Sequence, residues 1–174
     1  MVSMILADSD DERRKFLDKL KPMMRQDFKE IFAAMEGNPV TVRLLDIPLH
    51  EFLPNIEELH EEIRELKESG SLESDIAEKN RVLNKARELS EVNPMLGHRG
   101  VRVGITYPEI YESQIAAICE AAAELIKEGG KPIPKIMIPQ VALKQELSKI
   151  LELVNREKTK VEQEKNVKLE IKFG

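Results

Sequence analysis

Apolar residues recur at steps of three and four through residues 9–36. Phe16, Leu17, Leu20, Met23, Met24, Phe28, Ile31, Phe32 and Met35 form one stripe, the pattern of an amphipathic helix. Ser9 with Glu12 three residues on has the form of a capping box, and Gly37 stands where a left-handed residue would end the helix. Pro22 falls inside the span, which predicts a kink or two consecutive helices. The period then changes. Residues 40–46, Val40-Thr41-Val42-Arg43-Leu44-Leu45-Asp46, are a β-branched and aliphatic run bounded by Pro39 and Pro48. This reads as a buried strand with an arginine inside it. Helices are predicted over residues 56–69 and 72–89, with Gly70 between them and Ser71 able to cap the second. A glycine-punctuated stretch at 95–100 leads into a second short strand at 101–105. Pro108 and Glu109 then open a helix to about residue 128, ended by Gly129 and Gly130 and burying Ile115, Ile118, Cys119, Ala122, Leu125 and Ile126. A third strand at 135–139, a helix at 142–164 and a strictly alternating run at 167–173, read as a half-buried strand, complete the pattern.

The element order is therefore α-β-αα-β-α-β-α-β. Strands separated by helices imply right-handed crossovers and a parallel sheet. Four strands make either an open sheet or half of a (β/α)8 barrel, which takes eight βα units and about 250 residues. At 174 residues the chain has the length of one ordinary domain but about half the units of such a barrel.

Composition narrows the class. Charged residues make up 34% of the chain and hydrophobic ones 41%; the first figure is above the usual ~25% and fits helices with solvated outer faces. No apolar run approaches the ~20 residues that span a bilayer, and no basic stretch followed by an apolar one marks a secretory signal. One cysteine, Cys119, allows no internal disulfide and points to a reducing, cytoplasmic setting. A net charge of −5 argues against a nucleic-acid partner, which demands a basic face.

In parallel βα architectures ligands bind at the C-terminal ends of strands. Arg43 lies in the first strand and Arg99 just before the second. A guanidinium stays charged and is costly to bury alone, so an inward arginine meets a carboxylate or a phosphate. For Arg43 the candidates are a salt bridge to Asp46 or to an acid on a neighbouring helix, or an anionic ligand. Around Arg99 the glycines allow close backbone approach to a ligand, and a tight turn explains them as well. His50, His60 and His98 show no metal-ligand spacing, so no metal site is expected from them. His60 reads as solvated and Cys119 as a small core residue. The glycines form neither a dinucleotide nor a Walker pattern.

Longer motifs carry more. The stretch Pro39-Val40-Thr41-Val42-Arg43-Leu44-Leu45-Asp46-Ile47-Pro48-Leu49-His50-Glu51-Phe52-Leu53-Pro54 resembles a signature of the pyruvate phosphate dikinase family. So do Asn93-Pro94-Met95-Leu96-Gly97-His98-Arg99-Gly100 and Gly104-Ile105-Thr106-Tyr107-Pro108-Glu109-Ile110-Tyr111, and Lys135-Ile136-Met137-Ile138-Pro139 resembles the family's next barrel strand. The resemblance implies a family that interconverts ATP, phosphate and pyruvate with AMP, pyrophosphate and phosphoenolpyruvate. In it a phosphohistidine domain swivels between an ATP-grasp domain and a C-terminal (β/α)8 barrel, which binds pyruvate or phosphoenolpyruvate with Mg2+. Arg43 and Arg99 stand at the positions of family arginines that grip the transferring phosphoryl group, which implies that they are substrate-binding residues here.

The family's first arginine-bearing strand, its metal-binding Glu and Asp, its catalytic cysteine and its phosphohistidine have no counterpart among residues 1–174. The resemblance therefore implies a single incomplete domain, residues 1–174. Its expected fold is a partial (half) (β/α)8 TIM-type barrel of about four parallel strands with crossover helices. The expected function is that of a dikinase fragment, carrying part of the pyruvate/phosphoenolpyruvate site, with no catalytic or metal-ligating residue and no Mg2+ bound, and inactive alone. The alternative is a non-catalytic phosphoenolpyruvate-binding or assembly module. Exposed strand edges predict a partner: the missing parts of the enzyme on another chain, or a second copy.

Overall fold

The computed structural model describes residues 2–46, 48–90, 93 and 97–174. Of the motifs above, Ile47, Pro94, Met95 and Leu96 lie outside the described residues, as do the side chains of Leu49 and His50. The elements run α1 (Val2–Ile5), α2 (Asp10–Ala34), β1 (Pro39–Arg43), a 3-10 turn (Leu49–Phe52), α3 (Ile56–Glu68), α4 (Glu73–Leu89), α5 (Val101–Thr106), α6 (Pro108–Lys127), β2 (Ile133–Met137), α7 (Lys144–Lys165) and β3 (Lys172–Phe173). Among the described residues no helix is long and apolar enough to cross a membrane.

The long N-terminal stripe forms a single helix, α2, which runs through Pro22 without a break in assignment. Its cap departs from the reciprocal form. Ser9 Oγ accepts from the Glu12 N–H at 3.2 Å, but the Glu12 carboxylate accepts from the N–H of Asp8 and not of Ser9. Three acidic residues in the first turn, Asp10, Asp11 and Glu12, complement the positive end of the helix dipole. Gly37 takes φ +78° as the chain turns toward β1.

The sheet is parallel, in the order β1-β2-β3. β1 pairs β2 from Pro39↔Ile133 to Arg43↔Met137, and β2 pairs β3 at Lys135↔Lys172 and Ile136↔Phe173. One face carries Val40, Val42, Pro134 and Ile136 toward the core. The other shows Pro39, Thr41, Arg43, Ile133 and Met137 to solvent. β1 is thus half-buried, not the buried strand expected from its composition, because helices cover only one of its faces.

α6 is the central helix. Ile115, Ala117, Ile118, Cys119, Ala121, Ala122 and Ala123 are all fully buried, and the helix packs on α2 at one side and α7 at the other. The run of alanines lets the neighbouring helices approach closely while still burying apolar surface. Outside this apolar contact, cations on α2 face acids on α6: Lys21 meets Glu120 at 2.6 Å, Arg25 meets Glu124 at 3.2 Å and Lys29 meets Glu128 at 2.5 Å. Deeper in the same contact, Arg13 of α2 and Glu109 in the first turn of α6 form a buried ion pair.

Two predicted strands are corrected. Residues 101–105 are not a strand but most of helix α5, with Gly104 N–H on Gly100 O and Tyr107 N–H on Val103 O. Val101, Val103 and Gly104 are buried against α6 and α7. The alternating valines suggested a period of two, but helices surround the segment, so its backbone groups must close among themselves. Likewise, only Lys172 and Phe173 of the run 167–173 enter the sheet. Leu169 and Ile171 are buried as the alternation demands, yet the Leu169 N–H donates to Glu162 Oε1 at 2.7 Å, a side chain of α7. The described residues therefore hold three strands, not four. Elsewhere the predicted helices and strands at 56–69, 72–89, 108–128, 135–139 and 142–164 appear with ends shifted by a few residues.

Candidate functional site

The C-terminal end of β1 delivers a tight cluster. Past Arg43, the Leu44 N–H makes a last ladder bond to Met137 O at 3.0 Å, and two residues on the Asp46 side chain turns inward and is buried. Arg99 closes on it from the loop ahead of α5. Its Nη2 lies 3.2 Å from Asp46 Oδ2, and its Nε donates to Asp46 O at 2.7 Å and lies 3.3 Å from Oδ1. Arg43 reaches the same Oδ2 from the exposed face, at 3.5 Å. Arg43 and Arg99, 56 positions apart in the chain, are therefore brought together, and the carboxylate between them is what joins them.

The two arginines are held differently. The Arg99 side chain is 15% exposed and engages both the carboxylate and the backbone of Asp46, so its fork is pre-oriented. The Arg43 side chain is 60% exposed with one long contact, a kind of pair that contributes little in water. An anion arriving at the open face can take Arg43 without dismantling the Arg99 bonds. Of the possibilities open for Arg43 at the sequence level, the link to Asp46 is present; the strand position itself is not buried.

Gly100 makes the closure possible. It has φ +58° and ψ −133°, a conformation open to glycine and hardly to other residues. A Cβ there would lie 2.9 Å from Asp46 Oδ1 and 3.0 Å from Pro139 O. The next N–H, of Val101, donates to that same Pro139 carbonyl at 3.0 Å. The segments after β1, before α5 and after β2 thus meet at one point. Gly100, beside Arg99, serves close approach of backbone to a carboxylate and a carbonyl within the chain.

Two contributors lie far away in sequence. Tyr111 Oη donates to Leu45 O at 2.9 Å, and the Leu45 N–H donates to Gln114 Oε1 at 3.0 Å. Burial, with Asp46 adding, pushes the Tyr111 phenol well above its ordinary range, so it acts as a donor at all physiological pH. Tyr111 ends one of the family-like motifs, but no local signal points either residue to Leu45: both sit in an apolar helix, 66 and 69 positions from their partner.

The remaining candidates fall outside this cluster. His98 Nε2 pairs with Thr106 Oγ1 at 3.0 Å, and its ring lies 5.8 Å from that of Tyr107. His60 is exposed and takes Arg87 Nη2 at 2.7 Å. Cys119 is fully buried, and burial pushes its thiol up to about 12. Since the thiolate is the reactive form, Ellman's reagent is expected to leave Cys119 untouched in the native chain and to label it fully in denaturant. Stoichiometric labelling without denaturant would show that α6 opens locally. Among the described residues no three His, Cys, Asp or Glu side chains gather as a metal site.

Comparison with known proteins agrees with the motifs. Residues 4–174 match the family described as PEP-utilising enzyme, PEP-binding domain. The chain is 52% identical to pyruvate, phosphate dikinase of Entamoeba histolytica over 178 aligned residues, covering 100% of this chain and 20% of that protein. It is 46% identical to the chloroplastic pyruvate, phosphate dikinase 1 of Arabidopsis thaliana, covering 98% of this chain and 17% of the relative. The Giardia intestinalis pyruvate, phosphate dikinase is 43% identical, with 100% and 19% covered. The chain thus spans about a fifth of the length of these curated relatives. A match that takes in all but the first three residues places the chain in the family of PEP-utilising enzymes, within their PEP-binding domain.

Proposed function

We propose that this chain forms part of the phosphoenolpyruvate/pyruvate site of a pyruvate, phosphate dikinase, with Arg43 and Arg99 binding the phosphoryl group. The observation that carries the reading is their convergence on Asp46 at the C-terminal end of a parallel strand, where ligands of βα folds bind. Guanidinium forks match phosphate oxygens and offset charge in a loose phosphoryl-transfer transition state. Arg99, fixed by Asp46, is the standing half of the grip. Arg43 exchanges a weak contact with Asp46 for the incoming phosphate.

The fold that goes with this reading is a partial (β/α)8 barrel. Three parallel strands with helices between them support it, as does a sheet face left open to solvent. The remaining parts of the enzyme, on the same or another chain, or a second copy, would supply what pairs with the strand edges. The family's magnesium does not find a fitting donor set here. Among the described residues no three His, Cys, Asp or Glu side chains gather as a metal site, and Asp46 is engaged by two arginines. No step is therefore assigned to metal, and the 174-residue chain by itself binds substrate without turning it over.

Calorimetric titration with phosphoenolpyruvate tests the reading. The wild-type chain is expected to bind. Arg43→Ala is expected to weaken binding about 10- to 100-fold, the worth of hydrogen bonds to a charged group. Absence of heat with the wild type, or equal affinity in the variant, would overturn it.

A further inference from the structure

The ladder of β1 ends at Leu44, and Leu45, half-buried, lies one residue beyond it. A backbone N–H and C=O in that position need partners, and α6 supplies both. Gln114 Oε1 accepts from the N–H at 3.0 Å and Tyr111 Oη donates to the C=O at 2.9 Å. Tyr111 and Gln114 stand three residues apart, on one face of the helix. The Tyr111 side chain is fully buried, and its ring occupies the space where a Cβ on Gly104 would lie. One residue of the β1 exit is therefore held at both polar groups by the most buried helix of the molecule. That residue lies between Arg43 and Asp46 in the chain.

We propose that Tyr111 and Gln114 are positioning residues for the phosphate grip: by clamping Leu45 they set the direction in which Asp46 leaves the strand, and through its carboxylate the orientation of Arg43 and Arg99. The inference rests on the reading of Arg43 and Arg99 as phosphate-binding residues. Neither α6 side chain touches the ligand. Without the clamp the strand exit is free to rotate about residues 44 and 45, and the two forks lose their common aim, which costs affinity through orientation and not through a lost ligand contact.

The test is an NMR titration of the 174-residue chain with phosphoenolpyruvate, in Tyr111→Phe and Gln114→Leu, with the Leu45 amide followed by hydrogen exchange. Each variant keeps the apolar bulk and removes one bond. Each is expected to raise Kd about fivefold and to speed Leu45 exchange. In an Arg43→Ala background the same substitutions are expected to change Kd less than in the wild type, because one of the two arms they aim is gone. A merely structural role would lower the thermal midpoint and leave Kd unmoved where all variants are folded. Unchanged Kd in both variants, with binding still weakened by Arg43→Ala, overturns this inference alone. Full additivity with Arg43→Ala overturns it as well. No binding by the wild type overturns the phosphate reading and this inference together.

Discussion

Glu109→Ala is expected to destabilise the chain by about 3–5 kcal/mol, the range for stranding one member of a buried ion pair. The side chains of Arg13 and Glu109 are 9% and 2% exposed, and their atoms approach to 2.5 Å. Once the carboxylate is gone, Arg13 keeps, among the described residues, Asp10 at 3.1 Å, a long bond to Ala7 O at 3.4 Å and the face of the Tyr107 ring at 4.5 Å. The Asp10 carboxylate, 80% exposed, offsets the buried cation only in part. The loss is a large share of the 5–15 kcal/mol that holds most domains folded. It is read as a fall in the urea midpoint at constant m-value. The control is the double replacement Arg13→Met with Glu109→Leu. It removes both charges at similar volume and is expected to recover most of the loss, since the pair is costly to break but not necessarily costly to replace. If Glu109→Ala leaves the midpoint in place, water reaches Arg13 and the pair is not the internal lock between α2 and α6 that its burial indicates.

Gly100→Ala is expected to cost about 2–4 kcal/mol from strain and crowding together, and to weaken phosphoenolpyruvate binding with it. Two effects add. The backbone sits at φ +58° and ψ −133°, and the new Cβ would press on Asp46 Oδ1 and on the Pro139 carbonyl just after β2, which cannot swing aside as a flexible side chain would. Gly37 provides the comparison. It also has a positive φ, +78°, but a Cβ there meets nothing within 4 Å, so Gly37→Ala is expected to cost about 1 kcal/mol from backbone strain alone. Urea denaturation of both variants separates strain from crowding, and the binding titration shows whether the crowding reaches the arginines. Equal losses at the two positions would mean that Asp46 and Pro139 yield freely, and that Gly100 has no part in shaping the site.

Much of the helical framework was legible from the chain alone. The stripe from Phe16 to Met35, the start of α6 at Pro108 and its end before Gly129 are local signals, and local signals suffice where an amphipathic face decides the period. The 101–105 segment shows the opposite case. Val101, Val103 and Ile105 carry strand-like alternation, but what decides between helix and strand is whether a neighbouring strand offers hydrogen bonds, and here helices α6 and α7 occupy that space. The 167–173 run is a strand only at Lys172 and Phe173, which pair with β2, because Glu162 takes the Leu169 N–H before it.

The site divides along the same line. Arg43, Arg99 and the glycine beside Arg99 stood out because a permanently charged fork near a sheet, and a residue free of Cβ, are exceptional in any context. Asp46 was visible as a partner for Arg43, three residues away. Its tighter hold on Arg99, and the grip of Tyr111 and Gln114 on Leu45, were not, because they join residues 53 to 69 positions apart. By itself the sequence determined the helical periods, the family and the two arginines, all of which rest on residue type and short-range spacing. Only the tertiary structure decided how many strands join the sheet, which face of β1 stays open, and that both arginines meet on one carboxylate. Those outcomes depend on which backbone groups find partners across the fold, and hydrogen bonds between distant segments leave no period in the chain.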